Sequence, residues 1–295
     1  MPLQEYLLLK NILRCPMCRN PLNAHASGVN CINNHHFDRA RQGYINLLLG
    51  HKKRSLNPGD DKIMVKARSD FLGSGYYAAI ANTITRIVVD LTADIKRPII
   101  VDAGCGEGYY TNKIKQSIAC SDVIGFDISK LGIQSCSKKN KTIQWLVASV
   151  NDVPLLDHQA DIIISAFSRC NWQEFGRLLK HGGTVLVVGP LTNHLLELRE
   201  AIYEQVHTYT NNKFLQDLPE CFLLHHSETL QRKMRIFNAK TILNLLSMTP
   251  HYWRISIKQK EKLLKLNSLI CTYHVHLSQI QYTLHSNDSH IPIGS

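Results

Sequence analysis

Runs of apolar residues alternate with amphipathic segments between residues 99 and 190. Short continuous apolar runs are typical of strands buried on both faces of a sheet, and the segments between them carry apolar residues at helical spacing. In chain order, the predicted strands are 99–104, 122–129, 143–149, 161–167 and 183–189. The alternation predicts an α/β fold in which helices cover both faces of a parallel sheet.

Further elements are predicted on both sides of this sheet. Helical spacing at 62–72 and 77–91 indicates two helices ahead of the first strand. After the sheet we expect a helix from about Asn193 to His207, strands near 222–237 and 269–277, and a helix at about 239–246 between those strands. The two late strands predict an antiparallel pair added to the parallel sheet.

The first 45 residues contain too few apolar residues to form a core of their own. They hold four candidate metal ligands in the spacing C-x2-C-x12-C-x3-H, namely Cys15, Cys18, Cys31 and His35. Two short knuckles of this kind close a tetrahedron around zinc and leave no open position, which predicts one structural zinc ion per chain. His36 and His25 remain alternatives for the fourth ligand, although the usual spacing favours His35.

A basic, turn-rich stretch at 51–60 marks a boundary after this unit. We therefore predict a zinc-binding domain at 1–45, a basic linker with flanking helices at 46–96, a catalytic domain at 97–285 and a loose tail at 286–295. The linker run His51-Lys52-Lys53-Arg54 is interpreted either as a contact for phosphates or as an ordinary solvated segment.

Glycines follow the first predicted strand in the sequence Asp102-Ala-Gly104-Cys-Gly106-Glu-Gly108. Dinucleotide-binding folds usually carry G-x-G-x-x-G, and Asp102 would repel a pyrophosphate but could hold the cationic amino group of a methionyl moiety. Asp127 ends the second strand, where a carboxylate can accept hydrogen bonds from ribose hydroxyls. Loop and acid together predict a class I methyltransferase that binds S-adenosylmethionine.

The end of the third strand is where such folds contact adenine. Asn151 or Asp152 could accept a hydrogen bond from the adenine amino group, and either could equally cap a helix.

Net charge and cysteine usage indicate what kind of partner the protein binds and in which cellular compartment we expect it. The chain of 295 residues has 34 basic and 23 acidic side chains, a net charge of +11 that favours a polyanionic partner. Six of the nine cysteines are scattered singly, as expected of reduced thiols. We see neither a secretory signal nor an apolar run long enough for a bilayer, so we expect a cytoplasmic protein that is not in a membrane.

Several motifs together resemble one family. The runs CPMC, CxxxHxFDxAxxGYINLL, HKKRSLNPGDD, ARxxFLxxGYY and DAGCGEGYYT, followed by GPxxxHLxELxxxIYExVH at 189–207 and LLxMTPxxWR at 245–254, are similar to the bacterial 23S rRNA guanine-N1 methyltransferases often called RlmA. The resemblance covers most of the chain. It implies a class I methyltransferase fold with a small N-terminal zinc-binding domain that helps to recognise RNA.

The resemblance also implies a reaction and a set of contacts. The reaction is transfer of a methyl group from S-adenosylmethionine to guanine N1 in a 23S rRNA hairpin. The sequence does not indicate whether the chain acts as a monomer or as a homodimer. The implied zinc ligands are Cys15, Cys18, Cys31 and His35. The implied cofactor contacts are Tyr77, the loop from Gly104 to Thr111 with Tyr110, and His194.

One departure and two alternatives accompany this interpretation. Phe167-Ser168-Arg169-Cys170 replaces a family-like F-A-P-C, so Arg169 either contacts a phosphate or loosens a loop that proline would stiffen. The alternatives are a small-molecule or protein methyltransferase braced by zinc, and a noncatalytic rRNA-binding module. The sequence indicates neither the general base nor which guanine is modified.

Overall fold

A computed structural model describes residues 12–52, 58–206 and 217–283. Lys53 and Arg54 of the basic linker, His207 at the expected end of a helix, and the expected tail 286–295 lie outside these residues. Within the described residues, no helix has both the length and the apolar character needed to cross a bilayer.

The N-terminal unit is a small antiparallel sheet. Its three strands, in spatial order, are β1 (Asn23–His25), β2 (Gly28–Asn30) and β3 (His36–Asp38). Such short strands bury little apolar surface, so their arrangement depends on the turns that flank them and on what those turns hold.

The second sheet is mixed and has eight strands, one of them, the first in chain order, from the N-terminal unit and the others from the rest of the chain. Its strands are β4 (Ile45–Asn46), β5 (Ile99–Ala103), β6 (Asp122–Asp127), β7 (Gln144–Val147), β8 (Ala160–Ala166), β9 (Leu179–Pro190), β10 (Phe222–Phe237) and β11 (Ser268–Tyr282). The spatial order is β10-β11-β9-β8-β5-β6-β7-β4. All neighbours from β4 to β9 pair in parallel, whereas β11 is antiparallel to both β9 and β10. The α/β class and the terminal antiparallel pair are confirmed.

Helices cover both faces of this sheet. They are α1 (Lys62–Gly73), α2 (Ala78–Leu91), α3 (Tyr109–Ser117), α4 (Lys130–Lys139), α5 (Trp172–Leu178), α6 (Leu196–Ile202), α7 (Ala239–Ser247) and α8 (Ile257–Leu264). Successive residues of β5 pack into two different hydrophobic clusters, one on each face of the sheet. Ile100 packs with α1 and α2, whereas Val101 packs with α5 and the N-terminal unit. This alternation explains why the strands read as continuous apolar runs.

The N-terminal unit is part of the catalytic core. Its strand β4 pairs in parallel with β7, with Ile45 opposite Leu146. Leu13 forms an antiparallel bridge with Leu155, and both are buried. The two-residue β4 is too short to give a period in the sequence, which is why the sequence predicts an appendage and the structure shows a shared core.

The helix expected from Asn193 is shorter in the structure. α6 begins at Leu196, after Leu195 adopts a left-handed backbone with φ +52°. The preceding segment is tied to β11 because the Leu191 N–H donates to the His274 carbonyl at 2.8 Å and the Leu195 N–H to the Thr272 carbonyl at 2.7 Å. These bonds to a strand compete with helix formation, so residues 191–195 form an irregular segment at the edge of the sheet.

Candidate functional site

Two tight turns bring the four predicted metal ligands together. In the first, the Cys15 N–H donates to the Asn20 carbonyl at 2.8 Å, and Arg19 closes the turn with φ +67°. In the second, the Cys31 N–H donates to the His35 carbonyl at 3.2 Å, and Asn34 has φ +57°. Each knuckle therefore turns two side chains towards the other knuckle.

The geometry of this cluster fits zinc. The ligand atoms of Cys15, Cys18, Cys31 and His35 all lie within 4.8 Å of one another. Sγ of Cys18 is 3.5 Å from Sγ of Cys31, and Nδ1 of His35 is 3.4 Å from the same sulfur. Zinc bonds of about 2.3 Å to sulfur and about 2.0 Å to nitrogen would separate tetrahedral ligands by about 3.5 to 3.8 Å. With four protein ligands, the structural zinc has no position for a substrate.

The two rival histidines lie elsewhere. His36 and His25 are exposed, with their rings 6.1 Å apart, and His25 is within hydrogen-bonding distance of Ser27 at 3.2 Å. The Asn20 backbone N–H is the largest of the influences that lower the pKa of Cys18, to about 6, which favours the thiolate that zinc requires.

The glycine-rich loop lies at the carboxyl ends of the parallel strands. Gly104 has φ +78°, and a Cβ there would lie 2.6 Å from Cβ of Ser168. The N–H groups of Gly104 and Cys105 both donate to the Phe126 carbonyl, at 2.9 and 3.0 Å. The loop is thus fixed to the end of β6 and pressed against the loop that follows β8.

A cavity of about 690 Å³ opens over this loop. A volume of this size is typical of sites for cofactors and small ligands. The predicted contacts that line it are Tyr77, Asp102, Gly104, Gly106, Tyr110 and His194. Gly108, Thr111, Asp127 and Asn151 are not among its lining residues.

Asp102 is buried at the base of the cavity. Its Oδ2 atom accepts a hydrogen bond from the Thr111 hydroxyl, which gives Thr111 an indirect role. Burial raises the pKa of Asp102 to about 7, and the Thr111 hydrogen bond opposes that rise. A buried carboxylate without a cationic partner is costly, so this position suits a ligand that brings a positive charge.

Asp127 lies beside the cavity, under the end of the linker. Its two oxygens accept the N–H groups of Gly106 at 2.9 Å and Ser129 at 2.7 Å, and burial raises its pKa. The Ser129 hydroxyl donates to the Asp60 carbonyl at 3.0 Å, and the Asp60 carboxylate pairs with Arg68, which lines the cavity. The residues just after the basic linker therefore pack against the catalytic domain.

Aromatic rings form one side wall. Tyr77 is buried, with its ring centroid 5.7 Å from that of Tyr273, 6.2 Å from Phe167 and 6.3 Å from His194. Nδ1 of His194 accepts the His274 backbone N–H at 3.3 Å, which places the proton of the neutral ring on Nε2. Burial lowers the pKa of His194 to about 3, so this ring is a neutral hydrogen-bond donor at physiological pH.

The two candidates for adenine recognition are not among the residues that line the cavity. Asn151 is exposed and accepts a hydrogen bond from Asn171 at 3.4 Å. Asp152 forms ion pairs with Arg14 at 3.4 Å and Arg19 at 3.1 Å, which tie the zinc knuckle to the catalytic domain. Asp152 is thus engaged by the N-terminal unit, and Asn151 contacts the segment between β8 and α5.

Several lining residues escaped the sequence argument. Arg68, His276 and the exposed Asp217 also line the cavity, next to the exposed Arg169 that the sequence had already marked. The loop after β8 is held by the Ser168 hydroxyl, which donates to the Ala103 carbonyl at 2.6 Å, so a serine takes over the bracing expected of proline. Arg68 stands in the ARxxFL run, whereas no local pattern marks His276.

Two regions of the chain match models of known protein families. Residues 13–56 match the family model described as RlmA, N-terminal, and residues 101–187 match the model described as Methyltransferase domain. The protein YxjB of Bacillus subtilis (strain 168), which carries a provisional name as a 23S rRNA (guanine-N1)-methyltransferase, is 32% identical, with coverage of 86% of this chain and 91% of the relative.

A second relative and a solved structure are also similar. The 23S rRNA (guanine(748)-N1)-methyltransferase of Streptomyces fradiae is 30% identical, with coverage of 82% of this chain and 85% of that protein. The phosphoethanolamine N-methyltransferase 2 of Haemonchus contortus, solved with S-adenosyl-L-methionine, has a TM-score of 0.46 at 10% identity, covering 75% of this chain and 57% of that one.

We predict that Cys18→Ser and His35→Ala each abolish stoichiometric zinc, whereas the neighbouring His36→Ala retains one zinc ion per chain. Zinc binding contributes on the order of 10 kcal/mol to the folding of small metal-dependent units, and here that unit also supplies β4 to the catalytic sheet. Metal analysis and thermal unfolding check both points. Full zinc content in Cys18→Ser would exclude this ligand set.

We predict that Gly59→Ala weakens binding of S-adenosylmethionine by about tenfold or more. Gly59 has φ +86°, and a Cβ there would lie 2.7 Å from Cβ of Ser129, so the loop that carries Asp60 must move. Gly182→Ala is the matched control, because it has φ +77° and no atom within 4 Å of the added Cβ. Equal affinities of the two variants in calorimetry would show that this loop does not shape the cofactor site.

Proposed function

The chain belongs to the family of RlmA-like 23S rRNA (guanine-N1)-methyltransferases, and from this premise we propose that it methylates N1 of a guanine in a hairpin of 23S rRNA. The observation that carries the proposal is similarity at 32% identity over 86% of the chain, together with the match of residues 13–56 to the RlmA N-terminal family model. A methyltransferase domain alone would be compatible with many substrates.

The cofactor end of the cavity is assigned to the glycine-rich loop and its neighbours. S-adenosylmethionine supplies a reactive methyl group on a sulfonium sulfur. The Asp102 carboxylate would accept hydrogen bonds from its amino group, and Nε2–H of His194 would donate to its carboxylate. The buried Tyr77 and the exposed Phe167 stack beside this part of the cavity, where a bound cofactor would be screened from water by their rings.

We assign to the guanine the part of the cavity lined by Trp172 and Cys170, where Arg169 is an exposed lining residue. A guanine must leave its stack to enter such a cavity, at a cost of a few kcal/mol that is smaller in a hairpin loop than in a duplex. Catalysis then rests largely on holding N1 towards the methyl group, since the cofactor is already reactive.

The zinc unit and the positive charge support an RNA partner. The net charge of +11 favours binding to phosphates, and the ion pairs of Arg14 and Arg19 with Asp152 hold the zinc knuckle against the catalytic domain. We propose that this unit positions an rRNA hairpin over the cavity. Action on rRNA is in keeping with a cytoplasmic location, which we also propose.

The proposal is tested by incubating the purified protein and S-adenosylmethionine with 23S rRNA from cells that lack this modification. We expect 1-methylguanine in the nucleoside digest and one new primer-extension stop in a hairpin, because a methyl group on N1 blocks base pairing. Asp102→Ala serves as the inactive control. Methylation of small molecules or proteins, with unmodified rRNA, would contradict the proposal.

We predict that affinity for S-adenosylmethionine falls by up to about tenfold per pH unit below about 7, where Asp102 is protonated in the free protein. The ionised form is needed to hold the amino group, so binding releases the proton and becomes unfavourable in acid. Thr111→Val removes the hydrogen bond that lowers this pKa and should move the onset to higher pH. Calorimetry from pH 5.5 to 8.5 measures both curves; identical, flat curves would remove Asp102 from this role.

A further inference from the structure

Guanine N1 carries a hydrogen, so methylation requires a group that accepts a proton, and the sequence identified none. A histidine on the last strand stands where such a group is needed. His276 lies on β11, is 5% exposed and lines the cavity. In the sheet it is the direct antiparallel neighbour of Gly189 at the end of β9.

The imidazole of His276 leans across its neighbour. A Cβ on Gly189 would lie 2.5 Å from Nε2 of His276, so the ring occupies space that only glycine leaves open. Because β9 lies between β11 and β8, this lean carries Nε2 towards the end of β8, where Phe167 to Cys170 line the cavity. The position is at the carboxyl edge of the sheet, where transfer takes place in this class of fold.

His276 and the proposed cofactor contacts occupy different sides of this edge. Side chains alternate along a strand, so His276 and Tyr273 of β11 point to opposite faces of the sheet. Tyr273 packs against Tyr77 on the cofactor side. We therefore assign the guanine base to the other side, where His276, Cys170 and Trp172 line the cavity.

A row of hydroxyl groups leads from His276 to the surface. Nδ1 of His276 is 3.0 Å from Oγ of the buried Ser278, which is 2.9 Å from Oγ of the exposed Ser227. If Nδ1–H donates to Ser278 and Ser278 to Ser227, the lone pair of the neutral ring is on Nε2. The same row provides a path by which a proton can reach solvent.

We propose, on the basis of the function proposed above, that Nε2 of His276 accepts the proton of guanine N1 during methyl transfer. The N1–H bond breaks with its electron pair left on N1, and the proton passes to Nε2. That pair forms the N1–C bond to the methyl carbon while the carbon–sulfur bond breaks with its pair on sulfur. The two changes are concerted, because the N1 proton becomes more acidic as the N1–C bond forms and can then pass to a neutral imidazole. The imidazolium can release its Nδ1 proton to water along the Ser278 and Ser227 row, and exchange of the Nε2 proton with water after the product leaves restores the starting tautomer.

The surroundings keep this histidine neutral over the working range. Burial lowers the pKa of His276 to about 4, so it stays uncharged between pH 6 and 9. The other titratable groups lining this side are Cys170, whose pKa is raised by burial, Arg169 and the exposed Asp217. Asp217 is therefore the competing acceptor and belongs in the test.

The test measures rates of 1-methylguanine formation on 23S rRNA from pH 6 to 9 for the wild type, His276→Gln, Asp217→Asn and His226→Gln, which changes an exposed histidine on β10. We expect His276→Gln to lower kcat at pH 7 by about 100-fold or more, with a small change in KM. Its kcat should rise about tenfold per pH unit, because hydroxide must then ionise N1, whereas the wild type and His226→Gln stay nearly flat.

Two further readouts separate this role from a structural one. Unchanged S-adenosylmethionine affinity and melting temperature show that His276→Gln is folded, and Gly189→Ala, which displaces the ring without removing it, should give the same dependence of rate on pH. A wild-type rate and pH profile in both variants, or the hydroxide-dependent profile in Asp217→Asn instead, would overturn the role of His276. Wild-type protein that forms no 1-methylguanine would overturn the proposed function and this role with it.

Discussion

The cavity depends on glycines at which the backbone lies so close to a neighbouring side chain that a Cβ would not fit. At Gly104 the loop after β5 meets Ser168, with no room for a Cβ between them. That contact joins the ends of β5 and β8, and the Ser168 hydrogen bond to Ala103 holds it in place. Asp102 precedes this turn and is buried at the base of the cavity, and that burial raises its pKa to about 7.

A similar contact between a glycine and a side chain occurs on each side of the cavity. Gly59 lets the end of the linker reach Ser129 beside Asp127, and Gly189 lets the ring of His276 lie across β9. One contact closes the cofactor side and the other shapes the side assigned to the base. Gly59 and Gly189 are both far from the glycine-rich loop in sequence. The fold of the sheet brings them to the two sides of the cavity, and this makes those sides different.

The zinc unit is structurally inseparable from this arrangement. It contributes β4 to the edge of the sheet, a bridge from Leu13 to Leu155, and ion pairs from Arg14 and Arg19 to Asp152. The zinc unit and the catalytic sheet therefore share one hydrophobic cluster, in which Leu13 and Val29 pack with Val101 and Leu146.

The sequence by itself determined the local features. Continuous apolar runs gave the strands of the parallel sheet because both faces are buried, and the ligand spacing gave the zinc cluster because two short knuckles need no distant partner. The glycine-rich loop was likewise visible, since strand, turn and helix are consecutive. Only the tertiary structure decided which side chains meet over that loop. Asp152 is engaged by Arg14 and Arg19 of the N-terminal unit, whereas Arg68 and His276 are brought to the cavity by α1 and β11. Pairing between strands far apart in the chain leaves no periodic trace near such residues, and their roles follow from position in the sheet.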